Sequence, residues 1–206
     1  SVELGVKKII HTSSAAVYGD DPELPKRINM KPAPKSPYGI TKLDGEYYCN
    51  LYREHFELNT VSLRYFNVFG PKQDPKSQYA AAIPIFVEKA IKNENITIFG
   101  DGNQTRDFVF VKDIVKANWK AAINEQAFGV FNVANGNAIT INELAEKVIE
   151  ITNSKSKILY AEERPGDIKH SVADITETKE ILGFAPSNNF DEELRITIDY
   201  FKKEKN

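Results

Sequence analysis

The chain has 206 residues, of which 41% are hydrophobic and 27% charged, and a net charge of −2 at pH 7. Such a composition can bury a sizeable core in one or two domains, and it offers neither the basic excess that nucleic acid or an anionic membrane attracts nor an apolar run long enough for a membrane span or signal peptide. One cysteine, Cys49, excludes an internal disulfide and fits a reducing, cytoplasmic setting, and His11, His55 and His170 lack companions at ligand spacing, so no metal site is expected.

The opening SVELGVKK has the look of a helix end, and KKIIHTS (7–13) reads as a buried strand. A Pro-rich loop from Pro22 to Pro37 leads into a helix, YGITKLDGEYYCNLYREHF (38–56), where Pro37 suits the first turn because its missing N–H would not be bonded there. A second strand follows at TVSLRYF (60–66). AAIPIFVEKAIKN (81–93) is helical, with Pro84 placed to shift its start, and ITIF (96–99) is a short strand. VKDIVKANWKAAI (111–123) has helical periodicity, and FNVAN (131–135) is a strand. In TINELAEKVIEI (140–151), Thr140 and Glu143 have capping-box spacing ahead of an apolar stripe from Ile141 to Ile149. Helices at ITETKEIL (175–182), stopped by Gly183, and DEELRITIDYF (191–201) complete the chain.

Alternating strands and helices predict an α/β fold with a largely parallel sheet. Sheets of that kind that bind dinucleotides begin with a Gly-rich turn at the first helix N-terminus, and no GxGxxG or GxxGxxG occurs in this sequence. The expectation is therefore a chain lacking roughly three or four N-terminal βα units of ~30 residues each, and with them the groups that grip adenosine and pyrophosphate.

Helical spacing puts Tyr38 and Lys42 on one face. A phenol in water keeps its proton up to a pH of about 10, and a nearby fixed cation favours the phenolate, so the pair can furnish a base. Alone, the spacing describes any solvated helix face. TSSAAVYG (12–19) adds hydroxyls at the C-terminal end of the first strand, where open α/β sheets hold their ligands, although a Ser-Ser pair by itself is more often a turn or cap. Arg106 in FGDGNQTRDFVFVKD (99–113) and Arg164 in RPGD (164–167) lie near glycine-rich backbone, and a guanidinium can hold a phosphate bidentately.

Ser14, Tyr38 and Lys42 resemble the Ser/Thr and Tyr-x-x-x-Lys triad of the extended short-chain dehydrogenase/reductase family, and later motifs follow in that family's order along the whole chain. The resemblance implies NAD as cofactor and a division into 1–75, the C-terminal part of a Rossmann-like parallel sheet, and 76–206, a smaller substrate lobe of which roughly 101–135 packs back on the sheet. It places Ser13, Tyr38, Lys42, Tyr65, Phe66 and Val68 on the cofactor side. On the substrate side it places Ser14, Asn67 at the diphosphate, Gln73 and Ala81 near the sugar and uridine ends, Arg106 and Arg164 on the diphosphate, and Asp167 on the ribose or behind Arg164.

Within the family, YFNVFGPKQDPKSQYAAAIP (65–84) and RPGDIKHSVADI (164–175) look like the branch that epimerises UDP-hexoses at C4 through a 4-keto intermediate. Ser171 matches a position where a small side chain leaves room for an acetamido group, implying UDP-GlcNAc and UDP-GalNAc without excluding UDP-Glc and UDP-Gal. Ala15 and Ala16 replace the acid pair that sugar dehydratases resemble at this point, and methyl groups move no protons, so elimination is not expected. Two alternatives stand beside this one. The first is a UDP-hexuronate epimerase or decarboxylase, which wants a further cation that the sequence does not single out; the second is a non-catalytic nucleotide-sugar-binding module. Relatives of this kind pair through the helix carrying Tyr-x-x-x-Lys, so Tyr47, Tyr48, Leu51 and Tyr52 are candidates for a homodimer face, and the chain by itself is expected to bind NAD weakly.

Overall fold

A computed structural model describes residues 1–75, 82–164, 166 and 168–204. In chain order it contains a 3-10 turn (Val2–Leu4), β1 (Lys8–Ser14), a second 3-10 turn (Ala15–Tyr18), α1 (Pro37–Phe56), β2 (Asn59–Tyr65) and β3 (Asn67–Phe69). Then come α2 (Ala82–Ile91), β4 (Ile96–Phe99), β5 (Thr105–Arg106), β6 (Phe108–Phe110) and α3 (Val111–Ile123). The remainder is β7 (Gly129–Val133), β8 (Ile139–Thr140), α4 (Ile141–Thr152), β9 (Ile158–Ala161), α5 (Thr176–Leu182) and α6 (Phe190–Lys203). No helix among the described residues is long and apolar enough to cross a membrane.

The main sheet has the order β1-β2-β7 with every pairing parallel, as the alternation of elements predicts. Its central strand β2 is buried along five consecutive residues, so apolar and polar positions do not alternate with solvent. The pleat instead divides them between two helices. Val61 and Leu63 join Ile114, Ala117 and Ala121 of α3 in one apolar cluster. Thr60 and Arg64 turn toward α1, the first donating to the Cys49 carbonyl and the second meeting Glu46. Lys8, at the start of β1, donates to the carbonyls of Ala121, Asn124 and Ala127 and so closes the end of α3. A separate apolar cluster joins α2, α4 and α6 to β3, β4 and β6 through Phe69, Ile83, Ile98, Phe110, Leu144 and Leu194.

Helix starts follow their local chemistry. Ser36 caps α1 by accepting from the Gly39 N–H at 3.1 Å, with Pro37 in the first turn. Pro84 falls in the first turn of α2, which begins at Ala82. The capping box of α4 is complete, with Glu143 N–H donating to Thr140 Oγ1 at 3.0 Å and Thr140 N–H donating to Glu143 Oε2 at 2.7 Å. The bonds that the carboxylate accepts from the Thr140 N–H and hydroxyl hold the Glu143 carboxyl below its ordinary range. Gly183 ends α5 with φ 62°, the left-handed conformation its stop role needs.

Three differences from the sequence expectation have physical causes. Val2–Leu4 form a single 3-10 turn ended by Gly5 rather than the last turn of an α-helix. The strand expected at 131–135 lies at Gly129–Val133, because Asn135 leaves the ladder and donates its N–H to Asp107. Strands β3, β5, β6, β8 and β9 are too short to carry periodicity and are defined by their partners: β3 pairs β6, β4 pairs β9, and β5 pairs β8 in the one antiparallel ladder described.

Candidate active site

Parallel register sets Ser14, the last residue of β1, opposite Tyr65, the last residue of β2. The chain then turns differently after each. Beyond Ser14 comes the 3-10 turn, which Ser14 caps by accepting from the Ala16 N–H at 3.2 Å. Beyond Tyr65, Phe66 donates to the Val133 carbonyl and Asn67 to the Asp107 carbonyl, both at 3.1 Å. Between these turns opens a cavity of about 340 Å³ walled by Ser14, Ala15, Ala16, Tyr65, Phe66, Asn67, Arg106 and Ser171, with Tyr18, Gly19, Lys26, Gly166 and Ile168. A second cavity of about 470 Å³ shares Asn67 and Arg106 with it and continues past Phe99, Lys89 and Arg164. Both volumes are in the range of small-molecule sites, and their shared residues place an amide and a guanidinium at the junction.

Helix α1 is seated on the end of β1 by two glycines. A Cβ on Gly39 would lie 2.8 Å from the Ala16 carbonyl oxygen, and one on Gly45 would lie 2.3 Å from the His11 ring. This close approach brings Tyr38 beside the turn that follows Ser14. Lys42, one helical turn on, donates from Nζ to the Thr12 carbonyl at 2.9 Å, and its Nζ is 5.5 Å from the centre of the Tyr38 ring. Tyr38 is 45% exposed, and neither Tyr38 nor Lys42 is in the wall of either cavity. Lys42 has two further N–H donors on its ammonium.

The tyrosines in the cavity wall are Tyr65, whose hydroxyl accepts from Asn118 Nδ2 at 2.6 Å, and Tyr18. The Tyr18 hydroxyl donates to Asn132 Oδ1 at 2.6 Å, and burial pushes its pKa up, so it stays protonated as a donor. Among the described tyrosines, Tyr38 alone combines exposure with an ammonium near its ring that has donors to spare.

The other sequence-derived candidates separate into groups. Arg106 donates from Nη1 to the Thr105 carbonyl at 2.9 Å, and Ser171 is tied by its N–H to the same carbonyl at 3.2 Å. Arg164 stacks over the Phe99 ring, 3.9 Å from its centre. Ser13 does not offer its hydroxyl to the cavity: the side chain is buried and donates to Glu46. Val68 packs against the α3 cluster, and Gln73 donates to the Val68 carbonyl at 3.1 Å, so neither side chain is in the wall of either cavity. Ala81 and Asp167 lie outside the described residues.

Sequence reasoning passed over the polar groups beneath the site. Glu46 continues the Tyr38–Lys42 face by one more turn, and it receives Arg64 bidentately, Nε to Oε1 at 2.8 Å and Nη2 to Oε2 at 2.7 Å. Arg64 also lies over the Tyr18 ring at 4.7 Å. Asp107, fully buried, accepts from the N–H groups of Asn135, Gly136 and Ala173 at 2.8, 3.0 and 3.1 Å. Burial outweighs those three bonds and pushes its pKa up to about 6. The signal available was a charged residue inside an otherwise apolar strand, Arg64 in TVSLRYF.

The profile of the NAD dependent epimerase/dehydratase family matches residues 1–134. The chain belongs to that family. A putative UDP-glucose 4-epimerase of Methanocaldococcus jannaschii is 37% identical over 203 residues, covering 96% of this chain and 64% of the relative. Among solved structures, the UDP-N-acetylglucosamine 4-epimerase of Methanobrevibacter ruminantium in complex with UDP-N-acetylmuramic acid superposes with a TM-score of 0.95 at 43% identity, over 98% of this chain and 65% of that one. The UDP-glucose 4-epimerase of Thermotoga maritima with UDP-glucose also gives 0.95, at 38% identity, over 100% and 67% of the two chains. The chain thus spans just under two thirds of the length of the first of these relatives.

Proposed function

We propose that the protein to which these 206 residues belong epimerises a UDP-hexose at C4, using NAD, in the UDP-GlcNAc/UDP-GalNAc pair and in the UDP-Glc/UDP-Gal pair. What supports this reading is Gly39 packed on the turn after Ser14, which brings the Tyr38–Lys42 pair to the C-terminal end of β1, where Ser14 enters the wall of a cavity that also includes Asn67 and Arg106. The smaller cavity takes the hexose, the larger one the uridine, and Asn67, Arg106 and Arg164 the diphosphate between them.

Tyr38 takes the proton of the C4 hydroxyl while Ser14, whose hydroxyl keeps a free donor, bonds the same oxygen. General base help of this kind is worth roughly 10² to 10⁴ in rate. NAD would supply the acceptor, and then the donor, of a hydride at C4, with Lys42 and Tyr38 at its nicotinamide end. The residues here fit only its nicotinamide end: Tyr38 is exposed and Lys42 half-buried at the C-terminal end of β1, and no Gly-rich turn for the pyrophosphate is in the sequence. Between the two transfers the 4-keto sugar must turn over, so the diphosphate contacts hold while the hexose swings in its cavity. Ala15 and Ala16 provide no acid to expel a hydroxyl, which keeps the chemistry at redox inversion.

The division at residues 75 and 76 into a cofactor part and a substrate lobe belongs to the same reading. So does a homodimer through the exposed α1 face of Tyr47, Tyr48, Leu51 and Tyr52. A cytoplasmic location accords with the single Cys49. The test is incubation of the chain, and of a longer protein containing it, with NAD and each of the four UDP-sugars. Interconversion within a pair is expected for the longer protein, with turnover cut at least a hundredfold by Tyr38→Phe and UDP-sugar binding nearly unchanged. Normal turnover in the Phe variant removes the assigned base.

A further inference from the structure

The hexose cavity contains a cation, Lys26, that has no counter-charge among the described residues. Lys26 is fixed by its backbone: its N–H donates to the Val172 carbonyl at 2.8 Å, and its carbonyl accepts from the Asp174 N–H at 2.9 Å and from Asn132 Nδ2 at 2.8 Å. It thereby bridges Ala173, two residues from Ser171. Its side chain is 3% exposed and belongs to the cavity wall with Ser14, Tyr18 and Ser171. The ammonium donates to the Asp21 carbonyl, and no carboxylate of a described residue lies within 4 Å of it. One carbonyl occupies one of its three N–H groups. A buried charge without a partner is costly, and the neighbouring buried cation, Arg64, shows the usual remedy in its bidentate pairing with Glu46.

Position distinguishes Lys26 from the diphosphate arginines. Thr105, beside Arg106, bridges His170, whereas Lys26 bridges Ala173, about 10 Å further at the rise of an extended chain. Arg106 is at the junction with the nucleotide cavity, and Lys26 is absent from that second cavity's wall. The available anion for Lys26 is thus on the sugar.

We infer that Lys26 makes this cavity bind UDP-hexoses that carry a carboxylate on the sugar, either as a hexuronate or on an ether substituent, more tightly than the neutral pairs it also admits. This rests on the UDP-hexose reading of the site and sharpens it. A neutral hexose leaves the ammonium uncompensated, while a carboxylate supplies a charge-assisted hydrogen bond in a water-poor pocket, worth tenfold or more in affinity.

Calorimetry on this chain with UDP-glucose against UDP-glucuronate, and UDP-GlcNAc against UDP-N-acetylmuramate, measures the preference directly. At least one acidic member is expected to bind about tenfold or more tighter than its neutral partner. Lys26→Met should bring that ratio to about one and Lys26→Arg should keep it. The backbone bonds of residue 26 do not depend on the side chain, circular dichroism checks the fold, and the unsubstituted chain's ratio needs no variant. Equal affinities within both pairs, or a preference that persists in Lys26→Met, overturns the inference. Equal weakening of UDP and all four sugars by Lys26→Met also overturns it, by making Lys26 a diphosphate contact. If neither UDP nor any of the sugars binds, the UDP-hexose reading itself fails; binding of neutral and acidic sugars alike fells the inference alone.

Discussion

Beneath Ser14 four buried polar side chains have firm partners, although Arg64 Nη1 has none: Ser13 and Arg64 both bond Glu46, Tyr18 bonds Asn132, and Asp107 gathers three backbone N–H groups. At the proposed nucleotide end, Arg106 bonds the Thr105 carbonyl among its contacts and Arg164 lies exposed over the Phe99 ring. The floor is arranged in advance of any ligand, and a misplaced group there has no water to fall back on. Arg164, at the rim, is held by a ring contact that a phosphate can replace. Substitutions in the floor should therefore act on folding first, and those in the rim on binding.

The largest effect that tests this division is expected at Glu46. Glu46→Ala leaves Arg64 charged and buried with no carboxylate, at a cost of about 3–5 kcal/mol. A urea titration reads it as a lower midpoint with little change in slope. Replacing both partners, Glu46→Leu with Arg64→Met, should recover much of the loss, because two apolar side chains do not need each other's charge. A single variant as stable as the parent would mean that the floor is not arranged as described.

Asp107 gives a smaller effect with a pH signature. Its folded pKa of about 6 lies above the ordinary 3.8, so the folded chain binds the proton more tightly than the unfolded one between those values. Its contribution is complete below pH 3.8 and is lost as pH rises through 6, a fall of about 3 kcal/mol. Glu143 and Asp174, whose pKa values are lowered by bonds to Thr140 and Thr176, act oppositely, losing stability as pH falls below the usual carboxylate range. Urea midpoints from pH 4 to 7 should slope downward in the parent and lie nearly flat in Asp107→Asn. Parallel curves for the two proteins would show that Asp107 does not titrate in this window.

The rim and the floor also differ in how far the sequence discloses them. Tyr38 and Lys42 are visible because helical spacing alone brings them together, and the capping box of α4 is visible because it is local. Lys26, Asp107 and the Glu46–Arg64 pair are not, since each meets its neighbours only after distant segments close: residue 26 on 172–174, 107 on 135 and 173, 46 on 64. Glu46 is the instructive case. Four residues after Lys42 it reads as an i,i+4 ion-pair partner, but the fold turns it inward to Arg64. Strands such as β5 and β8, two residues each, exist only through one another and have no signature of their own.

Arg164 should give the smallest effect, and its size follows from what the guanidinium does before a ligand arrives. Stacked on Phe99 at 3.9 Å, it holds a cation–π contact worth about 0.5–1 kcal/mol at an exposed site. Moving onto a diphosphate gains a charge-assisted pair worth roughly 1.5–3 kcal/mol and gives up that stack. The difference, about 1–2 kcal/mol, predicts that Arg164→Ala weakens UDP about tenfold while leaving the urea midpoint unchanged. Arg164→Lys should recover only part of the affinity, because an ammonium cannot take two phosphate oxygens in one plane. Undiminished UDP binding in Arg164→Ala would keep the guanidinium on Phe99 and leave the rim to Arg106 and Asn67, whereas a lowered midpoint would make Arg164 part of the floor.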